Sequence, residues 1–294
     1  MTLAMLKITA FLFGHLPLSI PALLGRIFGL LIYRLDKKHR DIAKDNLRRA
    51  FGADKSGKEI ERITKKVFQN LAAVFFEFMR IPWLTAKKLD NRVRCDGMEN
   101  LQNALKKGKG VIFITAHFGN WELMAAYYGL KGLPVDIVAR ELDNPALEEF
   151  VKWTRQRSGN RIVSKSRAMR RLLKTLASNG IAGILLDQNV AAAEGVFVDF
   201  FGTPACTNKG PAMLAAISGA AIIPTFILRE GKKHRIIIGR EVERVNTGDK
   251  NRDALVNTAR MTKVIEDIIR KHPEQWFWVH RRWKTRPPEE TKTK

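Results

Sequence analysis

The run Val-Ile-Phe-Ile-Thr at residues 111–115 constrains the fold more than any other segment, because it is apolar at four consecutive positions without polar alternation. A strand of that kind is buried on both faces, inside a sheet covered by helices. Ala116-His117-Phe118-Gly119-Asn120-Trp121-Glu122 follows directly. Gly119 permits a tight reversal, Asn120 is a favourable helix N-cap, and residues 121–128 continue as helix formers. Glu122 then falls in a first helical turn, where the helix dipole favours an anion. The expectation is that Glu122 accepts a hydrogen bond from the His117 imidazole, fixing its tautomer and leaving the other ring nitrogen to take a proton from a hydroxyl. Such a pair needs no serine or cysteine nucleophile if the substrate brings the hydroxyl. Taken singly, a histidine after a strand is commonly bonded to backbone and Glu122 is a helix-start charge. The ordered set of strand, glycine turn, N-cap and carboxylate points to a catalytic base and its orienting acid.

From Lys109 onward strand-like and helix-like segments alternate. The patterns predict strands at 110–115, 135–139, 181–186, 222–228 and 234–239. Helices are predicted at 121–130, 145–157, 168–177, 209–218 and 254–271. Earlier in the chain, Ile63, Val67, Leu71, Val74, Phe75 and Phe78 recur at three- and four-residue spacing, describing one amphipathic helix that ends at Pro82. The fold class expected is α/β: an αβ sandwich with a mixed, largely parallel central sheet flanked by helices. Sites in such folds lie at strand C-terminal ends, where His117 falls. Two more strand exits carry candidate substrate-binding residues. Arg140 closes 135–139 and offers planar donors for a phosphate or carbonyl oxygen, or else pairs with Glu141 or Asp143. Asp187 follows 181–186 and either orients a substrate hydroxyl, pairs with a cation, or stabilises its own loop as an Asx turn. His280 is read as structural.

The 294 residues suffice for one α/β domain, and 52 basic against 29 acidic residues leave a net charge of +23. Such a charge seeks polyanions: nucleic acid, anionic lipid or an acidic carrier protein. Cys95 and Cys206 stand apart without a CxxC or histidine cluster, which argues against a disulfide framework, a zinc site or any other metal. The N-terminus favours lipid over nucleic acid. Residues 8–25 contain no Asp, Glu, Lys or Arg, long enough to cross a hydrocarbon core of roughly 30 Å, although Pro17 and Pro21 interrupt them. A single span, a bent re-entrant hairpin and an interfacial helix pair are all compatible, whereas a cleaved signal peptide is not favoured. Arg34, Lys37, Lys38, Arg40, Lys44, Arg48 and Arg49 follow and place the body on the cytoplasmic face of the membrane. The predicted organisation is an N-terminal membrane-anchoring helical segment at 1–35, a catalytic domain at 36–288 and a polar tail at 289–294. The basic and aromatic segment 276–286 can also be read as a nucleic-acid stripe, but no helix-turn-helix, RNP or GXXG pattern supports that.

His117-Phe-Gly-Asn-Trp-Glu122 resembles the His-x4-Asp/Glu signature of the lysophospholipid acyltransferase superfamily. NLRRAFG at 46–52, RELDNP at 140–145, LLDQN at 185–189, VFVDFFG at 196–202 and EQWFWVHRRWKTRP at 274–287 resemble, in order, its bacterial late lipid A acyltransferase branch. The resemblance covers nearly the whole chain. It implies a membrane-associated acyltransferase of the inner membrane, moving a fatty acyl chain from acyl carrier protein thioester to a hydroxyl of a lipid A precursor, a phosphorylated glycolipid. His117 would be the base, oriented by Glu122, and Arg140 would belong to the site. Backbone N–H groups around Gly119, or Arg140, would stabilise the oxyanion. No bound cofactor or metal is implied, because the thioester arrives activated. Acyltransfer to a phosphatidylinositol mannoside or lysophospholipid is the second reading. A basic, non-enzymatic membrane or nucleic-acid binding protein is the alternative of another class.

Overall fold

The computed structural model describes residues 2–17, 19–165 and 168–288; the expected tail at 289–294 lies outside them. Its centre is a seven-stranded sheet of β1 (Val93–Asp96), β2 (Val111–Thr115), β3 (Val135–Ala139), β4 (Arg161–Ser164), β5 (Ile181–Leu185), β8 (Ala221–Glu230) and β9 (Lys233–Ile238), in the order β1-β9-β8-β2-β5-β3-β4. Neighbouring strands run parallel except β8 and β9, which form an antiparallel hairpin. A separate hairpin joins β6 (Gly195–Phe200) to β7 (Thr203–Asn208). The α/β class with a mixed, mostly parallel sheet is thus as expected.

β2 is buried at every position, and its side chains alternate between two apolar layers. Ile112 and Ile114 enter the layer built with α3 (Lys37–Phe51), α4 (Gly57–Phe78), α9 (Ala168–Ala177), α10 (Gly210–Ser218) and α11 (Lys250–Lys271). Val111 and Phe113 enter the opposite layer, with α5 (Ala86–Asp90), α6 (Met98–Leu105) and α7 (Trp121–Leu130). The period-2 alternation of a strand makes this division, and each large aliphatic side chain so buried contributes about 2 kcal/mol. α8 (Pro145–Arg157) packs through Phe150 into a third cluster with Leu6, Ala10, Phe78 and Met79.

The N-terminal stretch forms two helices, α1 (Leu3–His15) and α2 (Ser19–Leu35), rather than one continuous span. Among the described residues no helix is long and apolar enough to cross a membrane, so the spanning form of the expected anchor is not found. Pro17, with φ fixed and no N–H to donate, stands between the two helices. α2 lies against α4 with no room to spare. A Cβ at Gly25 would come 2.7 Å from the Ala73 Cβ, and one at Gly29 would come 2.4 Å from the Gln69 Cα. Two glycines four residues apart allow the backbones this approach. The predicted stripe of α4 is largely core: Ile63, Val67, Val74 and Phe78 are buried, whereas Phe75 is exposed.

Gly29→Ala should lower stability, by about 1–3 kcal/mol, because the new methyl meets backbone that cannot move aside. Helix propensity alone predicts the opposite sign, a gain of about 1 kcal/mol. Thermal or chemical unfolding of the two proteins decides between them.

Candidate active site

β2 and β5 pair in parallel with Thr115 opposite Leu185. His117 and Asp187 each stand two residues beyond that last pair, so the register sets them side by side at the C-terminal edge of the sheet. The His117 Nδ1–H donates to Asp187 Oδ1 at 2.9 Å, and the His117 backbone N–H donates to Oδ2 at 3.0 Å. Trp276 completes the set, its indole Nε1–H reaching Oδ2 at 2.7 Å. Asp187 is 2 % exposed, whereas the His117 side chain is 21 % exposed, so the pair has a buried end and an accessible end. Burial alone would push the Asp187 carboxyl up; the His117 charge and the three N–H donors hold it below the usual carboxylate range. With Nδ1 committed to the carboxylate, Nε2 is the nitrogen left to accept a proton.

This corrects the expected pairing. Glu122 does lie in the first turn of α7, but it accepts two bonds from the Arg155 guanidinium of α8, at 3.0 and 2.7 Å, and one from the Trp121 indole at 3.1 Å. The fork of Arg155 offers a bidentate match that a single imidazole N–H does not. Glu122 thus ties α7 to α8, while the Trp121 ring stacks edge-on to His117 with centroids 5.2 Å apart. Asp187 is corrected too, since it is buried with both oxygens engaged and does not present itself to a substrate. Arg140 closes β3 as expected, yet its side chain is 81 % exposed and, among the described residues, reaches only Asp143, at 3.3 Å. The structure brings His117 and Asp187 together, places Glu122 on the neighbouring helix and leaves Arg140 outside.

The turn that carries His117 is held from below. Gly119 has φ 59°, and a Cβ there would fall 1.8 Å from the Ile227 carbonyl oxygen, so only glycine fits. Its N–H donates to the Gln275 carbonyl at 2.9 Å, the Phe118 N–H to Ala116 at 2.7 Å, and the Phe277 N–H to the His117 carbonyl at 3.1 Å. Of the backbone N–H groups around Gly119 expected as oxyanion donors, those of Phe118 and Gly119 are therefore already engaged. Asn120 caps α7 by accepting from the Leu123 N–H at 3.0 Å and donates its own amide to Glu77 at 2.5 Å. Glu77 in turn takes a bidentate pair of bonds from Arg229, at 2.5 and 2.8 Å, and Arg229 also donates to Asn70 at 3.0 Å. Burial would push Glu77 up, but Arg229 brings it below the usual range.

Several of these supports sit in the motifs quoted from the sequence without a role. Asn46 of NLRRAFG donates to the carbonyls of Trp278 and His280, both at 2.7 Å, pinning the 274–287 segment against α3. His280 accepts the Asn189 N–H on Nε2 at 3.0 Å, which agrees with a structural role, and burial lowers its proton affinity. Arg282 is fully buried, donates to the Cys206 carbonyl at 2.8 Å and to Thr207, and lies over the Phe200 ring. Trp276 and Trp278 are buried as well. The tryptophans of 276–286 and Arg282 are thus core, while Arg281 and Lys284 stay exposed, so the aromatic faces that a nucleic-acid stripe would stack on are turned inward.

Beside Glu122 and beneath α7 runs a cavity of about 50 Å³. Phe113, Met124, Tyr128, Val135, Ile137 and Ile184 line it, and the Thr115 hydroxyl at its margin is buried without a partner among the described residues.

Residues 2–285 match the family described as bacterial lipid A biosynthesis acyltransferase. The chain is 27 % identical over 277 residues to the lipid A biosynthesis lauroyltransferase of Escherichia coli strain K12, covering 93 % of this chain and 88 % of that protein. It is 29 % identical over 283 residues to the palmitoleoyltransferase of the same organism, covering 94 % and 89 %. With the myristoyltransferase the identity is 26 % over 269 residues, covering 92 % and 81 %. A match across nearly the entire sequence, on a fold whose sheet edge presents an oriented histidine, leads to one conclusion: the chain belongs to the bacterial lipid A biosynthesis acyltransferase family and is an acyltransferase.

Proposed function

We propose that this protein moves a fatty acyl chain from an acyl carrier protein thioester to a hydroxyl of a lipid A precursor, at the cytoplasmic face of the inner membrane. His117 Nε2 takes the proton of the acceptor hydroxyl as its oxygen attacks the thioester carbonyl carbon. The tetrahedral intermediate collapses with cleavage of the C–S bond, and the imidazolium returns the proton to the departing thiolate. Asp187 holds the ring in the required tautomer and stabilises the imidazolium between the two transfers. The observation that carries this reading is the 2.9 Å bond from His117 Nδ1 to a buried carboxylate, with the imidazole itself partly open to solvent. The names of the relatives supply the acyl class and the acceptor.

Asp187→Asn should reduce turnover by about 10²- to 10⁴-fold with the fold intact, the usual scale for a disabled acid–base pair. Glu122→Gln should lose less activity and show its effect mainly as lowered stability, because Arg155 is left without its carboxylate. Steady-state kinetics on lipid A precursor, alongside unfolding curves, distinguishes the two. The reverse order, with Glu122→Gln inactive and Asp187→Asn near normal, would reject the assignment.

Association with a bilayer surface is supported by what α1 and α2 leave uncovered. Met5, Ile8, Phe11 and Leu12 of α1 and Leu23, Ile27, Phe28, Leu31 and Ile32 of α2 are exposed large apolar side chains. An exposed apolar face of this length on each helix marks an interaction surface, and helices lying in the headgroup boundary would bury it without crossing. Each such residue leaving water contributes about 2 kcal/mol, so the pair Ile27→Glu and Leu31→Glu should weaken vesicle binding by about a hundredfold or more. Flotation with phosphatidylglycerol vesicles measures this; unchanged binding would place the membrane contact elsewhere.

A further inference from the structure

A second cavity, also of about 50 Å³, opens between the end of α4, the β8–β9 turn and the start of β1. Four cationic side chains line it, Arg80, Arg92, Arg229 and the exposed Lys232, and the one carboxylate among the lining residues is Glu77. Arg229 already holds that carboxylate in its bidentate grip. The acids on adjoining elements are engaged elsewhere, Asp90 by Lys131 and Glu230 by Arg235. Arg92 is half-buried, and its guanidinium has no hydrogen-bond or ion-pair partner among the described residues. Arg80 is 7 % exposed and caps α1 through the carbonyls of Phe13 and Leu16, at 2.7 and 2.6 Å, but its Nε–H is buried with nothing to donate to. His234 Nε2 is likewise buried and unbonded, 3.7 Å from Glu77. Burial pushes His234 down to about 4, so near pH 7 the ring is neutral and adds no charge.

Burying cations beside one another costs free energy unless a counter-charge is supplied, and an unbonded buried N–H costs more. The protein supplies one carboxylate, already taken. A tetrahedral oxyanion brings both the missing charge and several acceptors, and arginine forks match its geometry. The cavity has room for several waters or one phosphoryl group. It is also bounded by Ala22 of α2, next to the exposed apolar faces of the N-terminal helices. We infer that this cleft is a phosphate-binding site, occupied by the phosphate of a lipid headgroup or by free phosphate, with Arg92 and Lys232 as its principal ligands and Arg80 behind them. Glu77 connects it to the catalytic turn through Asn120, but the site lies outside the His117–Asp187 pair.

The test uses the full chain in detergent, at fixed ionic strength, and needs no acyl donor, so it can fail while acyl transfer stands, or stand while acyl transfer fails. Thermal unfolding is followed against dihexanoyl phosphatidic acid, inorganic phosphate and uncharged dihexanoylglycerol. A site that binds the folded state raises the midpoint with ligand concentration. Phosphatidic acid should do so, and Arg92→Gln or Lys232→Gln should weaken the apparent affinity by roughly ten- to a hundredfold. Lys58→Gln, an exposed lysine on α4, should not. A shift with inorganic phosphate that also depends on Arg92 supports a free-phosphate source; a shift with the lipid alone supports a headgroup. Without ligand, Arg92→Gln should keep or raise the midpoint, because it removes an unpaired charge facing Arg80. No shift with either phosphate, or equal weakening in Lys58→Gln, would overturn the site and leave only general attraction to a chain of charge +23.

Discussion

The parallel pairing of β2 with β5 is the constraint on which the site depends. Register in a parallel pair is fixed by the apolar sets that each strand must bury, and a slip of one residue would turn every side chain to the wrong layer. With Ile112 and Ile114 opposite Ala182 and Ile184 on one face, Thr115 must meet Leu185. His117 and Asp187, two residues farther along, have no other place to go than beside each other. A hydrogen bond across 70 residues of sequence thus follows from core packing.

The support under the turn that carries His117 is polar, not apolar. Gly119, Asn120 and Gln275 connect the turn to Glu77, Arg229 and Asn70 by direct hydrogen bonds. A buried pair such as Glu77 and Arg229 is a weak source of net stability, but breaking it by removing one partner is costly, of order 3–5 kcal/mol. Its use here is geometric. The pair fixes where the cap of α7 begins, and hence the direction in which the chain leaves His117. The same carboxylate borders the cationic cleft on its far side, so one residue belongs to both surroundings.

The fold was legible wherever burial on two faces left a long apolar run: β2, β3, β5, β8 and β9 and the helices between them were readable to within a few residues. β1 and β4 were not, because four-residue edge strands carrying Arg94, Asp96 and Arg161 lack that signal. The β6–β7 hairpin has no clear strand signal in sequence, since Pro204 and Gly202 mask the alternation. At the site, His117 was readable because a histidine after such a strand and before a capped helix is unusual in local terms. Its partner was not, because local proximity favoured Glu122 and only strand pairing selects Asp187. One signal was available: Asp187 directly follows an apolar run, as His117 closely follows another. Trp276 and Asn46 gave no local signal, as each acts on a segment distant in sequence. The burial of Arg282 was not legible either, because a buried cation with carbonyl partners looks, in sequence, like an exposed one.

The most direct measurement of the central claim is the nitrogen-15 spectrum of the imidazole of His117, assigned by its absence in His117→Gln. An account in which Asp187 orients the ring predicts, for the neutral form, a proton on Nδ1 and an unprotonated Nε2, with that preference lost in Asp187→Asn. A neutral ring protonated on Nε2, or a tautomer indifferent to Asp187, would contradict it.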